Sequence, residues 1–582
     1  MSEVLQVAKA LSQSTDEDLA RVIGIRLMPS ASFADFFDLA TALLKPQSIN
    51  GAIAGLTISQ ITAFQNLITK QSKAKDKPFL EVLCTLFLVQ KKVSGTTTEY
   101  IPLDSAVEAF RQIVGKKTFE TQVIENPEHQ DLALVDPQAG IAAFETVQAL
   151  TELLIDLEQR YVKEVGRSSV GLPELKRLAQ HLGRPVEYAK SLYMLGQMAG
   201  LITLSDKRWR VGSQYIDWLN AEPDERWLLL AKTWRMLLGE ESAKEFAAIK
   251  SLDTAMKQIF PLANDGISSH IANLVSLAEL IGLSSAGFVS SWFNPLMQGD
   301  STKAAKLLTT SLPKTQSRVI VQADLSIISV GPLPTKTELE LRRFVETERI
   351  GVASSYRINT LSITHGLETG LTEARIRELL LELSGTNLPQ PVDYLIREAA
   401  SRFGRLVLTQ GPTETIIEST DAVLLAHILN DSTLKPISIT KRTDTSLQTR
   451  FEQDIVYYQL RESKYAAIRK DAKGNVISNW SQAGVHGSSN KTVSSVLNDI
   501  QRWREHEKRM GEAPEGSDIV RQLELCIKSK GTILVSVLVE KVAREFLLEP
   551  TGLANGRLRG RDRKADCERV IPISKITGVR LG

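Results

Sequence analysis

Four arginines alternate along GRLRGRDR: Arg557, Arg559, Arg561 and Arg563. Successive side chains of a strand point to opposite faces, so as a strand this segment would project all four guanidiniums from one side. Like charges set side by side repel, and such a row needs an anion or water opposite it. A phosphate backbone suits it, because each planar guanidinium can grip two oxygens. Residues 551–582 hold eight lysines and arginines against three acidic residues, while the whole chain carries a formal net charge of +2. Positive charge is therefore concentrated near this row, and the remainder is slightly acidic. The competing reading is a solvated edge strand whose arginines deter sheet-to-sheet pairing.

A second basic set lies further upstream. After Pro389-Gln390-Pro391, Val392, Leu395, Ile396, Ala399 and Phe403 recur at helical spacing, which leaves Arg397, Arg402 and Arg405 off the apolar stripe. Arg442, Arg450, Arg461, Lys464, Arg469 and Lys470 are interleaved with Tyr457, Tyr458 and Tyr465. Basic residues among aromatics can hold phosphates and stack bases. Arg397, Arg402, Arg405, Arg461 and Lys464 are thus candidates for a secondary nucleic-acid contact. The opposing reading fits the pattern better: tyrosines at strand spacing pack inside, and charged side chains face water.

Catalytic patterns are missing. The nearest approach to a phosphate cradle, Gly115-Lys116-Lys117-Thr118, has a lysine where Ser or Thr should follow and no glycine five residues before Gly115. The seven histidines show no metal-ligand spacing, and no nucleophile elbow or dinucleotide fingerprint is present. Cys84, Cys526 and Cys567 stand far apart without a CxxC pair, which argues against a zinc site and suits a reducing cytoplasm. No apolar run is long enough to span a membrane. The expectation is a cytoplasmic, non-catalytic protein that needs no cofactor or metal.

At 582 residues the chain is too long for one core. Residues 1–150 read as short amphipathic helices, with Leu5, Ala8 and Leu11, then Leu19, Val22 and Ile23, on apolar faces and Thr57 or Ser59 as a cap. Residues 123–140, with two prolines, read as a loop. Residues 161–218 have a winged-helix outline: one helix through Leu172, Leu175, Leu178, Ala179 and Leu182, a second after Pro185, and a wing turn at Asp206–Arg210. The second helix of such a module enters the major groove. Here its exposed face offers Glu187, Lys190, Ser191 and Gln197, a poor phosphate binder that favours a packing role. Trp227, Leu230, Trp234 and Leu237 form a core stripe.

From Val319 the period of two predicts one strand through Val321, Ala323, Leu325 and Ile327, stopped at Gly331-Pro332-Leu333-Pro334 and followed by a helix with Leu339, Leu341, Phe344 and Val345 apolar. Residues 471–495 are rich in Gly, Ser and Asn and read as a linker; Gln501–Met510 reads as a charged helix, Gly511–Gly516 as a break and Ser517–Lys528 as a helix. Five short strands with glycine turns then suggest a small barrel.

The segments VQADLSIISVGPLP, LRRFVETERIGVASSYRI, GLTEARIRELLLELS and LPQPVDYLIREAASRFG, in that order, resemble the N-terminal domain of XPB-type DNA repair helicases, in the version found in actinobacterial helicase-associated proteins that lack the motor. DLARVIGIRLMPSASFADFFDLATALL and DERWLLLAKTWRMLL continue that resemblance. The opening LELCIKSKGTILVSVL, Glu549-Pro550, Asn555-Gly556 and the closing ERVIPISKITGV resemble a WYL domain, a small Sm-like β-barrel that binds nucleic acid or nucleotide ligands. Arg557-Leu558-Arg559 stands where that family has Trp-Tyr-Leu. Arg569 and Lys575 match the family's closing basic positions, which implies that they join the arginine face.

Together these readings give a multidomain, mainly α protein with α/β parts: a helical domain over 1–150, a winged-helix-containing helical domain over 151–315, an XPB-like α/β domain over 316–470, a linker and charged helix over 471–515 and a WYL-like barrel over 516–582. The resemblance implies an accessory protein that binds DNA or another nucleic acid and works with a separate XPB-type helicase in DNA repair or processing. Two alternatives stay open: a winged-helix and WYL-type transcription regulator, and a protein scaffold with no nucleic-acid contact.

Overall fold

A computed structural model of the chain describes residues 3–26, 28, 33–94, 97–115, 119, 126–127, 131–160, 162–166, 169–205, 207–263, 269–477, 495–511, 523, 527, 532–539, 542–554, 556–563 and 565–581. Contacts divide it into two compact units: residues 1–120 with 496–582, and residues 121–495.

The first unit begins with short helices that bury one stripe each. Leu11 of Glu3–Gln13 and Leu19, Val22 and Ile23 of Asp16–Ile25 are buried, as the sequence spacing predicts, but on the first helix Val7 is buried with Leu11 while Leu5 and Ala8 are only half-buried. Side-chain oxygens cap the starts: Thr15 for Asp16–Ile25, Asp35 for Phe36–Leu43, and Thr57 with Gln60 as a reciprocal capping box for Ile58–Ile68. A hairpin of Val89–Ser94 and Thr97–Pro102 interrupts the helices, an element that the sequence reading did not contain. The helix Ser495–Gly511 belongs to the same unit. Its Trp503 is fully buried, stands edge-on to Phe33 and Phe36 at 6.3 and 5.7 Å, and donates its indole N–H to the Phe33 carbonyl at 2.9 Å. Beside it Arg504 binds Asp16 at 2.7 Å and the carbonyls of Ser12 and Ser14 at 2.9 and 2.6 Å.

The same unit ends in a five-stranded antiparallel sheet. In sheet order its strands are Cys567–Pro572, Arg557–Asp562, Val542–Ala554, Ile533–Val539 and Ile576–Leu581. All five were expected. No pairing among the described residues joins the two outer strands, so the closed barrel is not found there. The helix expected over Ser517–Lys528 lies mostly outside the described residues; Leu523 and Ile527 are helical and Leu523 is buried against the sheet. The expected linker falls outside them from 478 to 494, as do the break at 512–516, Asp206 of the wing turn and Cys526.

The second unit is built around the 28-residue helix Leu132–Gln159. Residues 132–140 were expected to be loop and are helical instead. Pro137 lies inside the helix and removes one backbone donor. Burial overrides that loss, because Val135, Ala139, Ala143, Val147, Leu150 and Leu154 all face the core. Against it pack Leu172–Leu182 and Val186–Met198, followed by the hairpin Ile202–Ser205 and Arg208–Val211, whose second strand pairs with Val162–Val165. Five tryptophans fill this core, and each indole N–H is satisfied: Trp209 by Ser169, Trp218 by Thr151, Trp227 by Ile281, Trp234 by Leu274 and Trp292 by Gly282.

Two smaller cores follow within the unit, one over Val319–Ala399 and one over Leu406–Ala467. The single strand expected from Val319 to Ile327 is a hairpin of Val319–Val321 and Ser326–Ser329. Asp324 accepts the Ser326 backbone N–H at 3.0 Å and the Ser326 hydroxyl at 2.6 Å, and Leu325 takes a left-handed backbone at φ 71°, which turns the chain. The helices Thr335–Arg342 and Gln390–Arg402 stand where the spacing predicts them. The second core packs Ala422–Asn430 and Gln453–Glu462 on a five-stranded mixed sheet. Tyr457 and Tyr458 were read at strand spacing but lie on the second of these helices.

Candidate nucleic-acid interface

The arginine row sits on the strand Arg557–Asp562, whose residues alternate exposed and buried. Leu558 is fully buried in the sheet's core with Ile533, Val535 and Ile571. Its neighbours Arg557, Arg559 and Arg561 therefore share the exposed face, and Arg563 is exposed just beyond the strand. Asn-Gly before the strand is the dipeptide that a tight hairpin favours, and Gly556 has φ 70°. A bulge between Pro550 and Gly552 sets Gly552 opposite Arg559. Gly560 is also required: a Cβ there would come within 2.8 Å of the Glu549 carbonyl.

Across the exposed face, Arg557 lies between Ala554 and Pro572, and Arg559 between Gly552 and Val570. Arg561 lies between Glu549 and Glu568. The row is thus neutral and apolar on both sides at one end and fenced by carboxylates at the other. Arg561 binds Asp566 at 2.7 Å and Arg563 binds Glu549. Among the described residues no carboxylate pairs with Arg557, Arg559 or Lys575, and Lys575 is exposed in the short turn Ile573–Lys575.

Arg569 does not join this face. It pairs with Gly560, so its side chain lies on the side of Leu558 and Asp562. There it binds the buried Asp562 at 2.6 Å and lies 4.6 Å over the Phe546 ring. The Asp562 hydrogen bond raises the Arg569 guanidinium further above its ordinary value. The family position carried over from the resemblance is occupied by a residue that tethers the sheet.

The secondary set is dispersed. Arg397 pairs with Asp393 at 2.9 Å and Arg402 with Glu398 at 2.6 Å, each one helical turn away. Arg405 and Lys464 are exposed and pair with no carboxylate among the described residues. Arg461 is not a surface group: it is largely buried, binds Glu368 at 3.0 Å and the Leu361 carbonyl at 3.0 Å, and lies 5.4 Å from the Tyr457 ring centre. The tyrosines are committed too. Tyr457 donates to Glu368 at 3.0 Å, Tyr458 to the Glu158 carbonyl at 2.9 Å and Tyr465 to Asp431 at 2.9 Å. Arg469 and Arg208 cover the Tyr457 and Tyr458 rings at 4.3 and 4.7 Å. Basic residues and aromatics are interleaved here to pack, which leaves no platform for a base.

Two buried charge clusters bind the long helix to the later cores of its unit. In the first, Arg342 contacts Glu152 at 2.7 Å, Glu338 at 2.8 Å and Gln148 at 3.0 Å, while Glu152 also takes His181 at 2.9 Å and Thr347 at 2.9 Å. Burial alone would raise the Glu152 carboxyl, but the His181 hydrogen bond and Arg342 hold it below its ordinary value. The second lines a small cleft with Glu158, His365, Glu368, Tyr457, Arg461 and Arg469. Burial pushes the Glu158 carboxyl up despite the nearby His365 and arginines. Sequence reasoning missed both clusters. Among the described residues no group of His, Cys, Asp and Glu is placed to hold a metal ion, and no helix is long and apolar enough to cross a membrane.

No curated protein matches the chain. Residues 319–443 match the family model described as helicase conserved C-terminal domain, a stretch that takes in the whole Val319–Ala399 core and the first strands of the next.

Proposed function

We propose that this chain is a non-catalytic helicase-associated protein that grips nucleic acid through the C-terminal arginine face and works beside a separate XPB-type helicase in DNA repair or processing. The observation that carries the grip is the pair Arg557 and Arg559, exposed on one strand face with no carboxylate partner among the described residues. The helicase association is supported by the match over 319–443, and the lack of a motor by the sequence, which has no phosphate-cradling Gly-rich loop. The C-terminal sheet is read as a WYL-like module and residues 161–218 as a winged helix used for packing. That role suits its second helix, where Lys190 lies 3.6 Å from Glu187 and so offers little charge to DNA.

The test adds the purified protein to an XPB-type helicase and measures ATPase and unwinding rates on DNA. The expected result is a change in the helicase rate that R557A/R559A reduces, with no ATP hydrolysis by this chain alone. Hydrolysis by the isolated chain, or a helicase rate indifferent to the protein, would reject the proposal.

A further inference from the structure

Resting on the grip just proposed, we infer that the arginine face takes the phosphate backbone of a duplex, blind to base identity, and that two of the four arginines in its row carry the working charge. The count follows from the pairs. Arg561 and Arg563 are held by Asp566 and Glu549, and Arg569 is turned to the core side by Asp562. An arginine already neutralised by a carboxylate has little counterion to release when a phosphate approaches. Arg557 and Arg559 retain their full charge, and two residues along a strand set them roughly 6.7 Å apart.

The class of nucleic acid follows from what surrounds them. Binding of single strands without sequence preference relies on aromatic side chains that stack successive bases. Between residues 512 and 582 the sequence has one aromatic, Phe546, and Arg569 covers its ring from the core side. The neighbours of the two arginines on the exposed face are Ala554, Gly552, Val570 and Pro572. None can stack on a base, and none offers a side-chain donor or acceptor to a base edge. A site that senses only phosphate charge favours the denser array, and a duplex carries about one charge per 1.7 Å of axis against one per 3.4 Å for each of its strands.

Fluorescence anisotropy on the full chain tests this with a labelled mixed-sequence duplex, one of its strands alone, and a thymidine homopolymer of equal length. The duplex should bind tighter than either single strand, and AT-rich and GC-rich duplexes should agree within about twofold. R557A/R559A should flatten the duplex salt dependence by about two in the slope of log K against log salt. That is about a tenfold smaller loss of affinity between 50 and 200 mM. R557K/R559K should keep the slope, which separates charge from misfolding. E549Q/D566N should steepen it by about one to two as Arg561 and Arg563 are released. Tighter binding of the single strands, still dependent on Arg557 and Arg559, would overturn the duplex inference and leave the grip standing. Binding of duplex and single strands alike that ignores R557A/R559A would overturn the grip itself.

Discussion

His181 and Glu152 show how a single pair sets a pH response. The hydrogen bond that His181 donates to Glu152 raises the imidazole above its ordinary value of 6.5 against a smaller opposing effect of burial. A base whose folded-state pKa is raised adds stability that is fully present below its unfolded value and is lost as pH rises through the folded one. Wild type should therefore lose stability relative to His181→Gln as pH is raised from 6.5 upward, read from urea midpoints across that range. A constant difference between the two would show that the imidazole stays neutral. The sequence gives no hint of this pair: its members lie 29 residues apart, on different helices, and no spacing rule reaches that far. Arg557, Arg559 and Arg561 were legible for the opposite reason, since alternation along one strand is a local property and Leu558 and Gly560 fix which side is buried. Arg569 was not, because its face depends on which residue of the neighbouring strand it meets.

Elements were read well where local chemistry and burial agree. The five C-terminal strands have alternating apolar residues and turn glycines, and they fold as read. Two readings failed where a distant contact overrides a local signal, or where one signal fits two structures. Pro137 suggests a loop, yet the helix continues through it to bury Ala139 and Ala143. The period of two from Val319 to Ile327 runs straight through a turn that only Asp324 and Leu325 betray. The charged helix Ser495–Gly511 has a narrow apolar stripe on which Ile500 and Trp503 are fully buried, so its stability within its unit leans on Trp503, the larger of the two. Trp503→Ala should destabilise that unit by ~3–5 kcal/mol, read as a lower melting midpoint by circular dichroism. An unchanged midpoint would mean that the Phe33 and Phe36 contacts contribute little.

At the scale of the second unit, three cores share one helix. Ala139 to Leu157 fills the first, Glu152 binds Arg342 beside the second, and the Glu158 carbonyl takes the Tyr458 hydroxyl of the third. Arg342 is only 3% exposed, so Arg342→Ala leaves the Glu152 and Glu338 carboxylates without their buried cation. The expected cost is ~3–5 kcal/mol, and the urea transition of residues 121–495, expected to be single in the wild type, should broaden or split as the cores uncouple. A sharp transition at the wild-type midpoint would reject the coupling role.

The reach of that helix also has a cost in time. Its carboxylate Glu152 is synthesised 190 residues before Arg342, and the Glu158 carbonyl 300 residues before Tyr458. At ribosomal rates of ~5–20 residues per second, the nascent helix waits roughly 10–60 s for these partners. During that interval its polar stripe must stay in water while its apolar stripe is already closing on the first core. A translational pause or premature stop before Arg342 would strand a half-clothed helix, which makes this interval the point in the chain's biogenesis most exposed to chaperone capture and proteolysis.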